Sequence, residues 1–212
     1  MSNIGLVWIR EDFRIENNAA LSYASQNHEH VIAFYIYNNI DFDNKREAQK
    51  WWLSKSLENF KKELSNYQIN LQVVKGDELD IFSKIKKKDN VSIYWNKIYE
   101  PDVILKGKKI RDLFIKNEIN FKYFKGNILN EFQDVTKNDK TPFKVFTPFW
   151  RTAEKIYLDS PPSKNYTIKK KLQNKSFFKN CIVPNNILPK KNWHKKFEKY
   201  WNVSENDSKK IL

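Results

Sequence analysis

The chain has 212 residues, of which 40% are hydrophobic and 15% aromatic, so it is long enough and apolar enough to form a folded core. Its single cysteine excludes an internal disulfide, and no apolar run approaches the ~18–20 residues needed to cross a bilayer. No histidine or cysteine spacing fits a metal site, so we expect a cytoplasmic protein with no metal and no membrane partner. The net charge of +14 is uneven, because residues 160–212 contribute +10 through thirteen lysines and three acids.

The first 125 residues alternate between strand-like and helix-like segments. Continuous apolar runs at 6–9 and 31–37 predict strands covered on both faces, and Asn17 or Asn18 can cap the helix between them. Further strands are predicted at 71–74, 91–95 and 119–124, and further helices at 46–64, 79–85 and 104–115. Five β-α units in a row predict an α/β, Rossmann-like three-layer sandwich with a five-stranded parallel sheet.

The pattern changes after this α/β region. Residues 126–147 are predicted to be mostly loop, and 148–158 to form a helix with Pro148 at its start. A connector rich in Lys and Asn follows to about residue 192, and a further helix is predicted at 194–200. The last predicted helix begins at Asp207 and stops with the sequence, so we expect an incomplete chain.

Several motifs lie at strand ends, where a parallel sheet binds its ligands. They are Trp8-Ile-Arg-Glu-Asp-Phe-Arg14 after the first strand, Arg46 before Trp51-Trp-Leu-Ser-Lys-Ser-Leu57, Gly76-Asp77 after the third strand, and Trp95-Asn96 with Tyr99-Glu100-Pro101 after the fourth. The most specific motif is the ten-residue run from Thr141 to Trp150, TPFKVFTPFW. A core or a turn need not specify Lys144, Phe146, Thr147 and Pro148 together.

In this order and spacing the motifs resemble the N-terminal α/β domain of the DNA photolyase/cryptochrome family. The family counterparts are W-F-R-x-D-L-R-L, R-x-x-x-L-x-x-S-L, G-D/N, W-N-x-x-Y-E-P and P-Y-K-V-F-T-P-F-W. Towards the C-terminus, Leu188-Pro189, Trp193, Phe197, Trp201 and Glu205 are similar to the segment that leads into the family's helical domain. The resemblance implies an α/β domain at 1–159, a connector at 160–192 and the truncated start of a helical domain at 193–212.

The resemblance also implies a function. Photolyases repair pyrimidine dimers with light: FAD in the helical domain donates an electron, and an antenna pigment in or beside the α/β domain harvests light. The FAD site would lie outside these residues, so we predict no catalytic residue and a light-harvesting role without catalysis by this chain alone. A separate chain carrying the flavin domain is a possible partner, and we expect DNA to bind weakly or not at all.

Five residues are candidates for the antenna pocket: Arg10, Arg14, Arg46, Asn96 and Glu100. A guanidinium can stack on a planar ring and donate two parallel hydrogen bonds to it, although an ion pair such as Arg14 with Asp12 is the competing interpretation. In the family the helical domain supplies the other wall, so the pocket is expected to be a half-site.

The pigment itself stays open between a pterin, a deazaflavin and a flavin, and a domain that binds no pigment is the remaining alternative. Val103 stands where pterin-binding relatives have a glutamate. Residues 97–99 contain no acid, although deazaflavin-binding relatives have one in this stretch.

Other functions fit the same sequence. One is a cryptochrome-like fragment for blue-light signalling, whose distinguishing residues would lie in the missing half. Another is an independent nucleotide- or flavin-binding α/β module, against which no G-x-G-x-x-G and no G-x-x-x-x-G-K-S/T loop is present. A basic DNA-binding protein without photochemistry would rest only on the lysines of 160–212.

Overall fold

A central sheet organises the computed structural model, which describes residues 4–38, 47–159, 166–169 and 172–211, without the side chains of 158 and 159. Its strands are β1 (Ile4–Ile9), β2 (His30–Tyr37), β3 (Asn70–Lys75), β4 (Val91–Asn96), β5 (Asn120–Phe124) and β6 (Cys181–Ile182). They lie in the order β5-β4-β1-β2-β3-β6. Strands β1 to β5 are parallel, as predicted, whereas β6 pairs antiparallel with β3. The sheet therefore has six strands and not the predicted five.

Helices cover both faces of the sheet, which gives the predicted three-layer, Rossmann-like α/β sandwich. The helices are α1 (Ala19–Asn27), α2 (Glu47–Ser65), α3 (Glu78–Ser83), α4 (Pro101–Lys116), α5 (Phe146–Asp159) and α6 (Glu205–Ile211), with 3-10 turns at Lys87–Asp89, Pro184–Ile187 and Asn192–Lys199. Leu21, Leu57 and Phe60 belong to the core on one face. Phe82 and Phe114 belong to the core on the other. Burial on both faces explains the continuous apolar runs of β1 and β2.

Local signals fix where the first helices begin. Asn18 Oδ1 accepts a hydrogen bond from the Leu21 amide at 3.1 Å and so caps α1. Asn17 does not cap this helix, because its φ of 52° lies in the left-handed region and a cap residue is extended. Asp77 caps α3 in the same way, accepting from the Leu79 amide at 2.8 Å.

The described residues after α5 fold back onto the sheet. Ile168, Leu172 and Ile187 are buried in the core beside α1 and α2. At the sheet edge β6 covers β3, with Ile182 opposite Val73. Sequence periodicity does not predict β6, because two residues are too few to establish an alternating pattern.

Candidate functional site

The loop after β1 is tied to the end of β4 by buried side-chain amides. Asn96 Nδ2 donates to Asp12 Oδ2 at 2.6 Å and to Asn18 Oδ1 at 2.9 Å. Asn96 Oδ1 accepts from the backbone amide of Ala20 at 3.2 Å. Asn18 and Asn96 are both buried, so their side-chain amides are shielded from water. The carboxyl ends of parallel strands lie at one edge of the sheet, so the loops after β1 and β4 meet there. Ligands of parallel α/β sheets bind at this edge.

Arg10 links the end of β1 to the end of β4. Its Nη2 donates to the backbone carbonyl of Asn96, and its Cζ lies 4.8 Å from the centre of the Trp8 ring. Burial lowers the pKa of Arg10, and the nearby carboxylate of Asp12 works in the opposite direction. Within the described part of the chain its Nε is buried and has no hydrogen-bond partner. Arg10 therefore joins the loop after β1 to the end of β4 and has one further N–H group, at Nε, that can donate a hydrogen bond.

A crevice of about 340 Å³ opens beside the loop that follows β1. Its walls are the loop after β1, one side of α2, and the segment 203–209. The lining residues are Glu11, Asp12, Phe13, Arg14, Trp52, Ser56, Asn59, Phe60, Glu63, Val203, Ser204, Glu205, Ser208 and Lys209. The crevice combines aromatic rings with both hydrogen-bond donors and acceptors, as small-molecule sites do.

A smaller cavity of about 80 Å³ adjoins the crevice on the side of β4. It shares Glu11, Asp12 and Arg14 with the crevice and adds Asn96, Lys97, Ile98, Gly126 and Asn127. A Cβ at Gly126 would lie only 2.0 Å from the Lys97 carbonyl oxygen, so this close approach of two loops requires glycine.

Opposite charges meet in the far wall of the crevice. Burial raises the pKa of the Glu63 carboxyl, the negative charge of Glu205 raises it further, and Lys209 lowers it. Lys209 Nζ lies 2.5 Å from Glu16 and 3.5 Å from Glu205, so it offsets part of the repulsion among these carboxylates.

The residues predicted for the antenna pocket have different positions. Arg14 lines both cavities, and Asn96 lines the smaller one. Arg10 contacts Asn96 but lines neither cavity. Glu100 is exposed immediately before α4 and also lines neither, while Arg46 lies outside the described residues.

Sequence reasoning missed the contribution of α2 to the crevice. Trp52, Ser56, Asn59 and Glu63 recur at spacings of four, three and four, next to the predicted apolar stripe of the same helix. This second stripe was a usable signal, because such residues share one side of a helix. The contribution of 203–209 had no comparable signal, since the loop after β1 and the residues of α2 that this segment contacts are far away in sequence.

The described residues contain neither a metal-binding cluster nor a membrane-spanning helix. Within the described ranges, no three His, Cys, Asp or Glu side chains group closely enough to hold a metal ion. In the same ranges, no helix is long and apolar enough to cross a membrane.

The fold and the crevice define an α/β domain with a ligand-sized cleft at the carboxyl edge of a parallel sheet. Residues 5–168 match the family model described as DNA photolyase. The chain therefore belongs to the DNA photolyase family and corresponds to the family's N-terminal α/β domain, which confirms the resemblance inferred from its motifs.

Relatives with known roles agree with this assignment. The deoxyribodipyrimidine photo-lyase of Agrobacterium fabrum is 27% identical over 205 residues, which is 94% of this chain and 42% of the relative. Cryptochrome-1 of Arabidopsis thaliana is 24% identical over 168 residues, covering 75% of this chain and 24% of the relative. The chain thus spans less than half the length of these relatives.

Solved structures share the fold. A bacterial class III photolyase from Agrobacterium tumefaciens superposes with a TM-score of 0.83 at 25% identity, covering 99% of this chain and 44% of that one. An archaeal photolyase from Sulfolobus tokodaii, described with two FAD molecules, gives a TM-score of 0.66 at 21% identity, covering 87% and 40%. At that lower identity the likeness supports the fold alone.

Proposed function

We propose that this chain is the light-harvesting domain of a photolyase-like protein and holds a planar antenna pigment in the crevice beside the loop after β1. The observation that carries the proposal is the crevice itself: a cleft with an aromatic lining, at the carboxyl edge of the sheet, in a member of the photolyase family. Ligands of parallel α/β sheets bind at this edge.

The residues present fit a planar heterocycle. The crevice volume of about 340 Å³ lies within the ~300–1,000 Å³ typical of small-molecule sites. Phe13 and Trp52 offer apolar surface to a ring, Arg14 offers donors, and Glu63 offers an acceptor. A pterin, a deazaflavin or a flavin would supply light absorption and energy transfer at this site. The role of these residues would be to bind and orient the ring and to limit its contact with water.

The flavin that performs repair would belong to a second, helical domain, in the same polypeptide or in a partner chain. Support comes from an exposed apolar surface on and near α5, where Phe146 is 71% exposed and Trp150 is 49% exposed. Val145 and Phe149 are exposed there as well, and so are Leu129 and Phe132, which flank Asn130, whose side chain bonds the Ala153 carbonyl of α5. Exposed apolar patches of this kind commonly mark an interface. The division of the chain at residues 159 and 192 and the cytoplasmic location stay predictions.

We expect the purified chain alone to contain no catalytic residue, to repair no pyrimidine dimers and to bind DNA weakly or not at all. The relatives include both photolyases and cryptochromes, so light signalling is the second candidate function. Dimer repair by this chain together with a flavin-binding partner would favour the photolyase. A light-dependent change in partner binding without repair would favour signalling.

Titration with a pterin, a deazaflavin and FMN, followed by fluorescence, tests the antenna role. One of them should bind, and Arg14→Ala should weaken that binding ~10- to 100-fold, because a lost hydrogen bond to a charged group costs ~1.5–3 kcal/mol. Arg111→Ala is the matched control, since Arg111 lies on α4 beside Tyr123 and lines neither cavity. Tight binding that is unchanged in Arg14→Ala would refute this location of the pocket, and no binding of any pigment would refute the antenna role.

A further inference from the structure

We infer that Glu205 is a positioning residue that holds the loop after β1 in the shape that forms the crevice. The inference concerns the same site as the proposed antenna role and rests on it for its importance to function. Its physical basis is one carboxylate that accepts hydrogen bonds from two successive backbone amides of that loop, some 190 positions away in sequence.

The Glu205 side chain contacts the loop directly and is itself largely buried. Glu205 Oε2 accepts from the Ile15 amide at 2.6 Å, and Oε1 accepts from the Glu16 amide at 3.1 Å. The Glu205 side chain is 11% exposed. Hydrogen bonds to an ionised acceptor are about twice as strong as neutral ones, so this pair is well suited to fix a loop.

The two amides follow Arg14, the predicted pocket residue that lines both cavities. On the other side of Arg14 the loop is held by Asp12, whose carbonyl accepts from the Arg14 amide at 2.7 Å. The Arg14 carbonyl accepts from Asn18 Nδ2 at 3.1 Å. Glu205 therefore completes the set of bonds that surrounds Arg14 and determines where this arginine enters the crevice.

The segment that carries Glu205 is itself anchored to α2. Asn59 Nδ2 donates to the Val203 carbonyl at 2.6 Å, and the Val203 side chain is buried. Trp201 packs against Trp52 with ring centres 6.0 Å apart. Phe13 in turn packs against Phe60 of α2 with ring centres 6.2 Å apart, so the loop, the segment and α2 are joined to one another around the crevice.

This arrangement bears on the expectation of a half-site. The sequence predicts that the helical domain supplies the second wall, and residues 203–209, which form a second wall here, lie in the segment predicted to begin that domain. Because Glu205 fixes that wall to the loop after β1, the crevice has walls on both sides within this chain.

The test uses the full chain and measures hydrogen exchange of individual backbone amides by NMR. In Glu205→Ala the Ile15 and Glu16 amides should exchange about 10- to 100-fold faster than in the wild type, because they lose charge-assisted bonds. Glu205→Gln should fall between the two, since glutamine keeps the shape and one acceptor oxygen but not the charge. Should Glu205→Ala fail to fold, Glu205→Gln still gives a measurable difference.

Glu198→Gln is the matched control, because Glu198 pairs with Lys55 and does not line the crevice. It should leave the exchange of Ile15 and Glu16 unchanged. Unchanged exchange at both amides in both Glu205 variants would overturn the positioning role.

A titration with FMN, a pterin and a deazaflavin separates this inference from the proposed function. Faster amide exchange in a chain that binds none of the three supports the positioning role and refutes the antenna role. A wild-type chain that binds a pigment, with unchanged amide exchange in Glu205→Ala, supports the antenna role and refutes the positioning role.

Discussion

Residues 4–124 and residues 166–211 are held in place by different interactions. In the first region, buried apolar side chains of β1 to β5 pack against α1 to α4 on both faces of the sheet. In the second region, the described side chains are mostly exposed, and Leu172, Ile187 and Val203 are among the few buried ones. The first region contains its own core, whereas the second contributes only single side chains to it.

Polar side chains of the first region bind the backbone of the second. Ser22 Oγ donates to the Thr167 carbonyl at 2.8 Å, and Ser54 Oγ donates to the Pro184 carbonyl at 2.9 Å. Asn59 Nδ2 bonds the Val203 carbonyl in the same way at 2.6 Å. The second region therefore depends on a first region that is already folded. Substitution of core residues should therefore unfold the whole molecule, whereas loss of these hydrogen bonds should detach only the second region.

The largest effect is expected from a core substitution. Phe114 on α4 is fully buried and packs against Phe82 with ring centres 5.0 Å apart. Phe114→Ala should lower the free energy of unfolding by ~3–5 kcal/mol, because it removes apolar contacts and leaves a cavity. Denaturant unfolding followed by circular dichroism measures this change.

The neighbouring residue provides the control. Ile115 is 66% exposed on the same helix, so Ile115→Ala should change stability by less than ~0.5 kcal/mol. Equal effects of the two substitutions would contradict a core built on this face of α4.

The same contrast explains how much of the fold the sequence predicts. The strands and helices of residues 4–124 follow from apolar runs and from the spacing of Leu53, Leu57, Phe60 and Leu64, which are signals local in sequence. Strand β6 does not follow from any local pattern. It exists because Gln72, about 100 positions earlier, binds the chain that leads into it.

The candidate site likewise has a part that the sequence predicts and a part that it does not. The motif after β1 and Asn96 were predictable, because the polar ends of parallel strands must meet at one edge. The contact of Glu205 with the amides of Ile15 and Glu16 was not, because only the folded chain brings these residues together.

A smaller and local effect is expected from Gln72→Leu. The buried Gln72 amide accepts from the amides of Phe177 and Phe178 at 2.8 and 3.0 Å and donates to the Phe178 carbonyl at 2.9 Å. Leucine leaves these backbone groups without partners, at ~1–3 kcal/mol for each group that stays buried. We therefore expect the segment around 176–182 to detach from β3 and not the whole chain to unfold.

Hydrogen exchange distinguishes local release from global unfolding. The Phe177 and Phe178 amides should lose protection in Gln72→Leu, while amides of β1 keep theirs. Gln26→Leu is the control, because Gln26 is exposed and bonds only to Ser22 among the contacts described. A uniform loss of protection across β1 and β6 would mean that the two regions are one cooperative unit.

The smallest effect concerns pH and the wall of the crevice where the two regions meet. Burial raises the pKa of Glu63, the charge of Glu205 raises it further, and Lys209 offsets part of this shift. The folded chain therefore favours the protonated form of Glu63. The resulting stabilisation is complete below the unfolded pKa of about 4.3 and is lost as pH rises through the higher folded value.

Glu63→Gln, which stays neutral, should match the wild type at low pH and exceed it in stability near neutral pH. Glu58→Gln on the same helix removes a carboxylate that pairs with Lys55 and Lys62, so it should give no such gain. Unfolding free energies measured across this pH range test the sign, and a Glu63→Gln variant no more stable than wild type at neutral pH would show that Glu63 is not destabilised by its neighbours.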